Sequence, residues 1–229
     1  MDIGIIGSGQ IGGTLARRLT ALGHRGSIAN SRGPESLAEF AAETGATPST
    51  IQEAAKAKDI VIVAIPEAAV EQLPRNVFAD TRAVIVDTGN YYPSRDGSLA
   101  DIDSGMIESE WVSQVIGQPV IKAFNNIAAQ SLATRGVPPG TSGRICIPIA
   151  GDDPEAKQIV LRVIDELGFD GIDAGTLADS WRQQPGTPVY AAGLDSSAIE
   201  AALNKADPEK IADYRAQADE AARAWFQKS

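Results

Sequence analysis

One cysteine and one histidine in 229 residues remove several classes of chemistry at the outset. The lone thiol, Cys146, forms no internal disulfide and assembles no thiolate metal cluster. Its neighbours Ile145, Ile147 and Ile149 place it in a strand, as a small buried hydrophobe. His24 falls in the turn LGHRG, read as a surface position, so a histidine triad, a zinc site and a histidine proton shuttle are excluded. Cations are outnumbered, 20 against 30 anions, and a net charge of −10 repels nucleic acid and anionic lipid. Long apolar runs are missing too: Ile60 to Ile65 is stopped by Pro66, far short of the roughly 20 residues that span a bilayer. The opening MDIGIIG has no basic leader, so neither a signal nor a transit peptide is expected, and cytoplasm is the expected location. No repeat of solenoid length and no low-complexity block interrupts the chain.

What is present is an apolar content of 43 %, enough for a substantial core in one large domain or two small ones. Strand-length apolar runs alternate with helical segments, which predicts an α/β fold of Rossmann type with a doubly wound, mainly parallel sheet. DIGII is the first strand. From Gln10, Ile11, Leu15, Leu19 and Leu22 recur at helical spacing until Gly23. RGSIAN is a second strand, and PESLAEFAAETG a helix from Pro34 to Gly45. DIVIVAI, nearly all apolar, predicts a strand buried on both faces, and AVIVD follows it. TGNYYPSRDG reads as an irregular loop, PVIKAF as a strand at 119–124, and helix is expected from Asn126. RICIPIAG is a further strand, DDPEAKQIVLRVIDELG a helix capped by Asp152 or Asp153, and GFDGIDAG a short strand. In the tail, Ile211, Tyr214, Ala218, Ala221 and Trp225 fall at helical intervals, a stripe suited to packing on the body or on a partner. The expected division is a nucleotide-binding domain over 1–125 and a smaller α/β region with a helical tail over 126–229.

Between the first strand and first helix stands GSGQIG, a G-x-G-x-x-G pattern at Gly7, Gly9 and Gly12. Gly7 permits the tight turn, Gly9 lets backbone approach a pyrophosphate, and Gly12 lets the helix lie against the sheet. The helix N-terminus then faces the anion with unpaired amides. A carboxylate for the ribose 2′-hydroxyl of NAD is expected about 20 residues on, but Asn30, Ser31 and Arg32 stand there instead. A hydroxyl and a guanidinium suit the 2′-phosphate of NADP, with Arg32 also able to cover the adenine face. The alternative leaves Arg32 a solvated charge and Ser31 a helix cap, with Asn30 serving either.

GIIGSGQIGGTLA, IANSRG, IVIVAIP, VIVDTGN, VIKAFNNIA, GDDPEAK and DAGTLADSW follow the order seen in the coenzyme F420-dependent NADP oxidoreductase family. The chain is also similar to the NADPH-binding domain of the six-transmembrane ferric reductases. The resemblance covers roughly residues 1–188. It implies hydride transfer between NADP(H) and a deazaflavin (coenzyme F420) or flavin (FMN or FAD) stacked on the nicotinamide. Carried over by residue, it puts Ser8, Gly9, Gln10 and Ile11 on the pyrophosphate and Ser31 with Arg32 on the 2′-phosphate. Ala64, Ile65 and Pro66 line the adenosine-ribose side. Asn90 and Ala123, Phe124, Asn125, Asn126, Ile127, Ala128 and Ala129 approach the nicotinamide. The chain departs from archaeal deazaflavin proteins at Ile127 to Ala129, where those often carry a proline.

Hydride transfer between two planar rings needs positioning more than acid–base groups. No Tyr-x-x-x-Lys pair exists: four residues after the tyrosines stand Arg95, Asp96, Leu194 and Ala218. Lys122 is the remaining ionisable candidate, to orient a substrate or to sit in a structural ion pair. Leu177 and Trp181 are candidates to wall the second ring, or core. The expected partner is a small-molecule redox acceptor and the expected assembly a homodimer. A small carbonyl or imine reductase and a non-enzymatic NADPH sensor are the competing readings.

Overall fold

Parallel strands need covered faces, and the apolar runs of this chain supply them on both sides of one sheet. The computed structural model describes residues 1–226. Its strands are β1 Asp2–Ile6, β2 Arg25–Ala29, β3 Thr47–Pro48, β4 Ile60–Val63, β5 Val84–Asp87, β6 Ile121–Lys122, β7 Cys146–Ile149 and β8 Asp170–Asp173. The helices are α1 Gln10–Ala21, α2 Ala38–Thr44, α3 Ile51–Ala54, α4 Glu67–Val70, α5 Pro93–Asp96 and α6 Ala100–Asp103. They continue with α7 Glu108–Ile116, α8 Ala129–Thr134, α9 Pro154–Glu166, α10 Ser196–Lys205 and α11 Ile211–Phe226. Six strands pair in parallel in the order β3-β2-β1-β4-β5-β6, the doubly wound Rossmann arrangement expected from the alternation. Every residue of β4 is buried, as its unbroken aliphatic sequence requires.

The smaller sheet, β7 with β8, is parallel and reaches the first through one antiparallel bridge, Lys122 to Ala150. One apolar cluster contains Ile3, Ile5 and Leu15 from the first sheet and its helix together with Ile147, Val160 and Phe169 from the second. Cys146 is buried in β7, and burial pushes its thiol up to about 12, which removes it from thiolate chemistry. His24 is mostly covered: Nε2 lies 2.7 Å from Glu166 Oε2, tying the α1–β2 turn to α9.

Local departures from the expected elements have identifiable causes. The strand expected over 119–124 pairs only at Ile121–Lys122, because Phe124 turns into the left-handed region at φ 61°. Helix expected from Asn126 starts at Ala129, since the Asn125 amide is held by Asn90 and Gln183. The PESL segment begins as a 3₁₀ turn, and the loop TGNYYPSRDG contains the single turn α5. Helix α11 packs on the body through a face that overlaps the apolar stripe only in part, with Ile211, Tyr214 and Ala218 half-buried. Arg215 and Asp219 point inward and Ala221 is exposed; the Trp225 side chain lies outside the described residues. Polar anchors chose that face: the backbone N–H and hydroxyl of Ser94 both donate to Asp219 Oδ1, at 2.8 and 2.6 Å.

Candidate functional site

The carboxyl ends of β1, β2, β4, β5 and β6 open onto one cleft, the position at which parallel sheets bind ligands. A cavity of about 720 Å³ elsewhere lies before β4 and β5, lined by exposed Lys56, Lys58, Arg75 and Arg82, at the strands' opposite ends. The chemistry is therefore sought in the cleft.

Gly7 makes the first turn with φ 114°, and a Cβ there would lie 2.1 Å from the Ala64 carbonyl. Gly12 is equally constrained, 2.1 Å from the Gly7 carbonyl, which sets α1 hard against the strand. Gly9 is different: nothing lies within 4 Å of where its Cβ would be. Its smallness keeps space open in front of the α1 amides, and no side chain caps them. That is the shape a pyrophosphate requires.

Asn30 organises the neighbouring loop. Its Nδ2 donates to Ser8 Oγ at 3.3 Å and Ser36 Oγ at 2.9 Å, and its Oδ1 accepts from the Arg32 backbone at 2.9 Å. This side-chain turn fixes the loop to the glycine turn and presents Ser31 and Arg32 at the rim. Both are exposed, and Arg32 forms no ion pair among the described residues. A free guanidinium beside an open anion cradle fits a second phosphate. This half of the cleft encloses about 370 Å³. Ile51, Ala69, Gln72 and Leu73 complete it. Sequence reasoning missed these four because α3 and α4 reach the rim only through the fold.

The other half encloses about 660 Å³ and shares Gly9, Ala64, Ile65 and Pro66 with the first. Of the residues expected at the pyrophosphate, Gln10 and Ile11 line it, and of those expected at the nicotinamide, Asn90, Asn125, Ile127, Ala128 and Ala129 do. Ala123, Phe124 and Asn126 do not; they are buried behind the wall. Leu177 packs with Trp111, Val112 and Val120 in the core, and neither it nor Trp181 lines the chamber. Its outer wall is instead Tyr92, Arg95, Tyr190, Ala222 and Phe226. The Tyr92 and Tyr190 hydroxyls are hydrogen-bonded to each other. Phe226 meets the Tyr92 ring edge-on at 5.1 Å, and the Arg95 guanidinium lies over both rings at 5.3 and 5.4 Å.

Beneath the chamber floor lies a buried charge network. Lys122 Nζ donates to Asp87 Oδ2 at 3.0 Å and to the Gly89 carbonyl at 2.6 Å, with no exposure of its own. It therefore touches no substrate; it fixes the Thr88–Asn90 loop. Asp87 completes the grip, accepting from Gly89 N–H at 2.8 Å and from the Ser109 hydroxyl at 2.8 Å. Glu67 packs so closely that a Cβ on Gly89 would lie 2.2 Å from its Oε1. Burial lifts Glu67 well above the usual carboxylate range, against the pull of Lys122. Burial also raises Glu108, to about 6, opposed by Lys122 and Arg215. For Lys122, burial works against the charge, yet Asp87, Glu67 and Glu108 hold it above its ordinary value. Among the described residues no group of three His, Cys, Asp or Glu side chains is arranged to hold a metal ion. None of their helices is long and apolar enough to cross a membrane.

Residues 2–91 match the profile of a family described as NADP oxidoreductase, coenzyme F420-dependent. The crystal structure of the hypothetical protein SMa0349 from Sinorhizobium meliloti is 33 % identical, with a TM-score of 0.70 over 83 % of this chain and 94 % of that one. A chain from Arthrobacter sp. FB24, provisionally described as an F420-dependent NADP reductase, is 24 % identical, with a TM-score of 0.62 over 79 % and 87 %. The metalloreductase STEAP3 of Rattus norvegicus is 28 % identical over 184 residues, 78 % of this chain and 34 % of that protein. The chain spans 34–46 % of the length of the curated relatives it matches.

Proposed function

This chain belongs to the coenzyme F420-dependent NADP oxidoreductase family, and from that premise we propose that it passes hydride between NADPH and a ring acceptor. The acceptor class is a deazaflavin such as coenzyme F420, or a flavin. One observation carries the reading. Arg32, which forms no ion pair among the described residues, and the open face of Gly9 lie on the same cleft as a chamber walled by aromatic rings.

Each part has a task under this proposal. Ser31 and Arg32 hold the adenosine 2′-phosphate, and the amides after Gly9 hold the pyrophosphate. Ala64, Ile65 and Pro66 line the passage between the two halves. Asn90 and Asn125, locked together by Nδ2 donations to Asn125 O at 2.9 Å and to Asn90 Oδ1 at 3.0 Å, orient the nicotinamide. The buried Asn125 Oδ1 has no hydrogen-bond partner among the described residues, an acceptor left over for a ligand amide. Bound NADPH supplies the hydride; the protein supplies distance, orientation and exclusion of water.

Calorimetry tests the nucleotide half. Arg32→Ala should weaken NADPH by about 1–3 kcal/mol and leave NADH unchanged within about 0.5 kcal/mol. Equal losses for both would remove the 2′-phosphate from Arg32. NADPH carrying deuterium at one face of C4 tests the other half: label should appear in reduced deazaflavin or reduced flavin. Nucleotide binding without label transfer to either would defeat the ring acceptor and leave the nucleotide assignment standing.

A further inference from the structure

The family reading asks nothing of the two phenols that meet in the chamber, yet the fold goes to some length to place them. Tyr92 is held by its backbone N–H, which donates to Asp96 Oδ2 at 3.0 Å, and by Arg95 and Phe226 on its ring. Tyr190 sits on a turn: its N–H donates to the Thr187 carbonyl at 3.0 Å, and the next residue, Ala191, is forced to φ 53°. Ala191 N–H then donates to the Asn126 carbonyl at 2.8 Å, which ties this turn to the segment that forms the nicotinamide wall. A left-handed alanine is strained, and here the strain is held next to Tyr190, which lines the chamber.

We propose that Tyr190 is a proton donor and that the chamber reduces the C=O or C=N bond of a small neutral ketone or imine. The inference rests on the nucleotide half of the proposed function and not on its ring acceptor. Two phenols share one hydrogen bond, so with Tyr92 donating, the Tyr190 proton is left for the chamber. Hydride from NADPH forms the new C–H bond at the electrophilic carbon, and the π pair moves to oxygen or nitrogen. That atom takes the Tyr190 proton, leaving NADP⁺, the alcohol or amine, and a Tyr190 phenolate. The Tyr92 hydroxyl stabilises the phenolate until water reprotonates it.

The protonation chemistry selects the substrate class. Burial holds Tyr190 above its ordinary value, although the Tyr92 bond pulls it back. Such a weak acid yields its proton only to a strong base. The alkoxide left by hydride addition to a ketone, or the nitrogen anion left by addition to an imine, qualifies; the nitrogen of a reduced flavin, a much weaker base, does not. Charge narrows the class further. Arg95, the one cation among the described residues lining the chamber, is engaged by Asp96, Glu67 and the Asn90 carbonyl. None is left to hold a substrate carboxylate.

The test uses the intact chain, with 1-pyrroline as the C=N probe and cyclohexanone as the C=O probe. NADPH oxidation should proceed with at least one of them and show a solvent deuterium isotope effect on kcat. Tyr190→Phe should lower kcat about a hundredfold or more and abolish that isotope effect, with the NADPH Kd and probe KM within about threefold of wild type. Tyr92→Phe, which leaves the donor in place, should cost about tenfold. If wild type binds NADPH but reduces neither probe, or if folded Tyr190→Phe keeps its kcat and isotope effect, the proposal is overturned. Should Tyr190→Phe not fold, a wild-type reaction without a solvent isotope effect overturns it just as well. Failure of NADPH to bind at all would defeat the proposed function together with this inference.

Discussion

The two ends of the cleft are built on opposite principles. At the adenosine end, Ser31 and Arg32 stand exposed on a short loop whose shape comes from one asparagine side chain and a glycine turn 22 residues away. At the acceptor end, the wall is assembled from the loop after β5, the segment after β6, the turn at Tyr190 and the last turn of α11. A buried set of carboxylates and cations lies under it. An exposed arginine needs no folding partner and is free to meet its ligand. Under the proposed function the chamber holds two reactants in register; the ties of Lys122 to Asp87 and to the Gly89 carbonyl stiffen its floor, while Glu67 Oε1 and Glu108 Oε1 have no hydrogen-bond partner among the described residues.

Perturbations should separate these ends by size. Lys122→Met leaves the Asp87, Glu67 and Glu108 carboxyl groups buried without their shared cation and should cost about 3–5 kcal/mol in urea denaturation. A loss under about 1 kcal/mol would mean the network is not what stiffens the acceptor end. Next comes pH. Glu108 titrates at about 6 in the folded protein against an ordinary 4.5, so the native state binds its proton more tightly. Its contribution is complete below pH 4.5 and is lost as pH rises through 6, by about 2 kcal/mol at 1.36 kcal/mol per unit. Glu108→Gln should remove that slope from the stability profile, and an unchanged profile would contradict it. Asp219→Ala, which frees α11 from Ser94, should cost about 1.5 kcal/mol and raise amide exchange in α11 first. Arg32→Ala should leave stability within about 0.5 kcal/mol of wild type despite its effect on NADPH. A large loss there would erase the contrast between the two ends.

How much of this was legible follows the same division. The tight turn at Gly7, the close packing at Gly12 and the placing of Asn30, Ser31 and Arg32 on the cleft depend on neighbours in sequence, so spacing alone made them legible. Lys122 was legible as a residue near the site but not as a buried one, because its partners come from β5 and from the loop that follows it. Leu177 and Trp181 were open between chamber wall and core on aromatic and apolar character, and packing decided for the core at Leu177. Tyr92 and Tyr190 carried no signal: 98 residues separate them. The docked face of α11 was legible only in part: Ile211, Tyr214 and Ala218 of the apolar stripe are half-buried, but the anchors Asp219 and Arg215 are polar and apolar spacing does not count them.

By itself the sequence determined the α/β fold, the parallel order of alternating segments, the glycine turn and the asparagine-held loop after β2. These rest on period, turn chemistry and short-range hydrogen bonds, whose energies act between residues close along the chain. Tertiary structure alone decided the acceptor chamber, the burial of Lys122 and the seat of α11 against Ser94, 125 residues before Asp219. Contacts that distant are selected by how whole elements pack, and no local pattern encodes them.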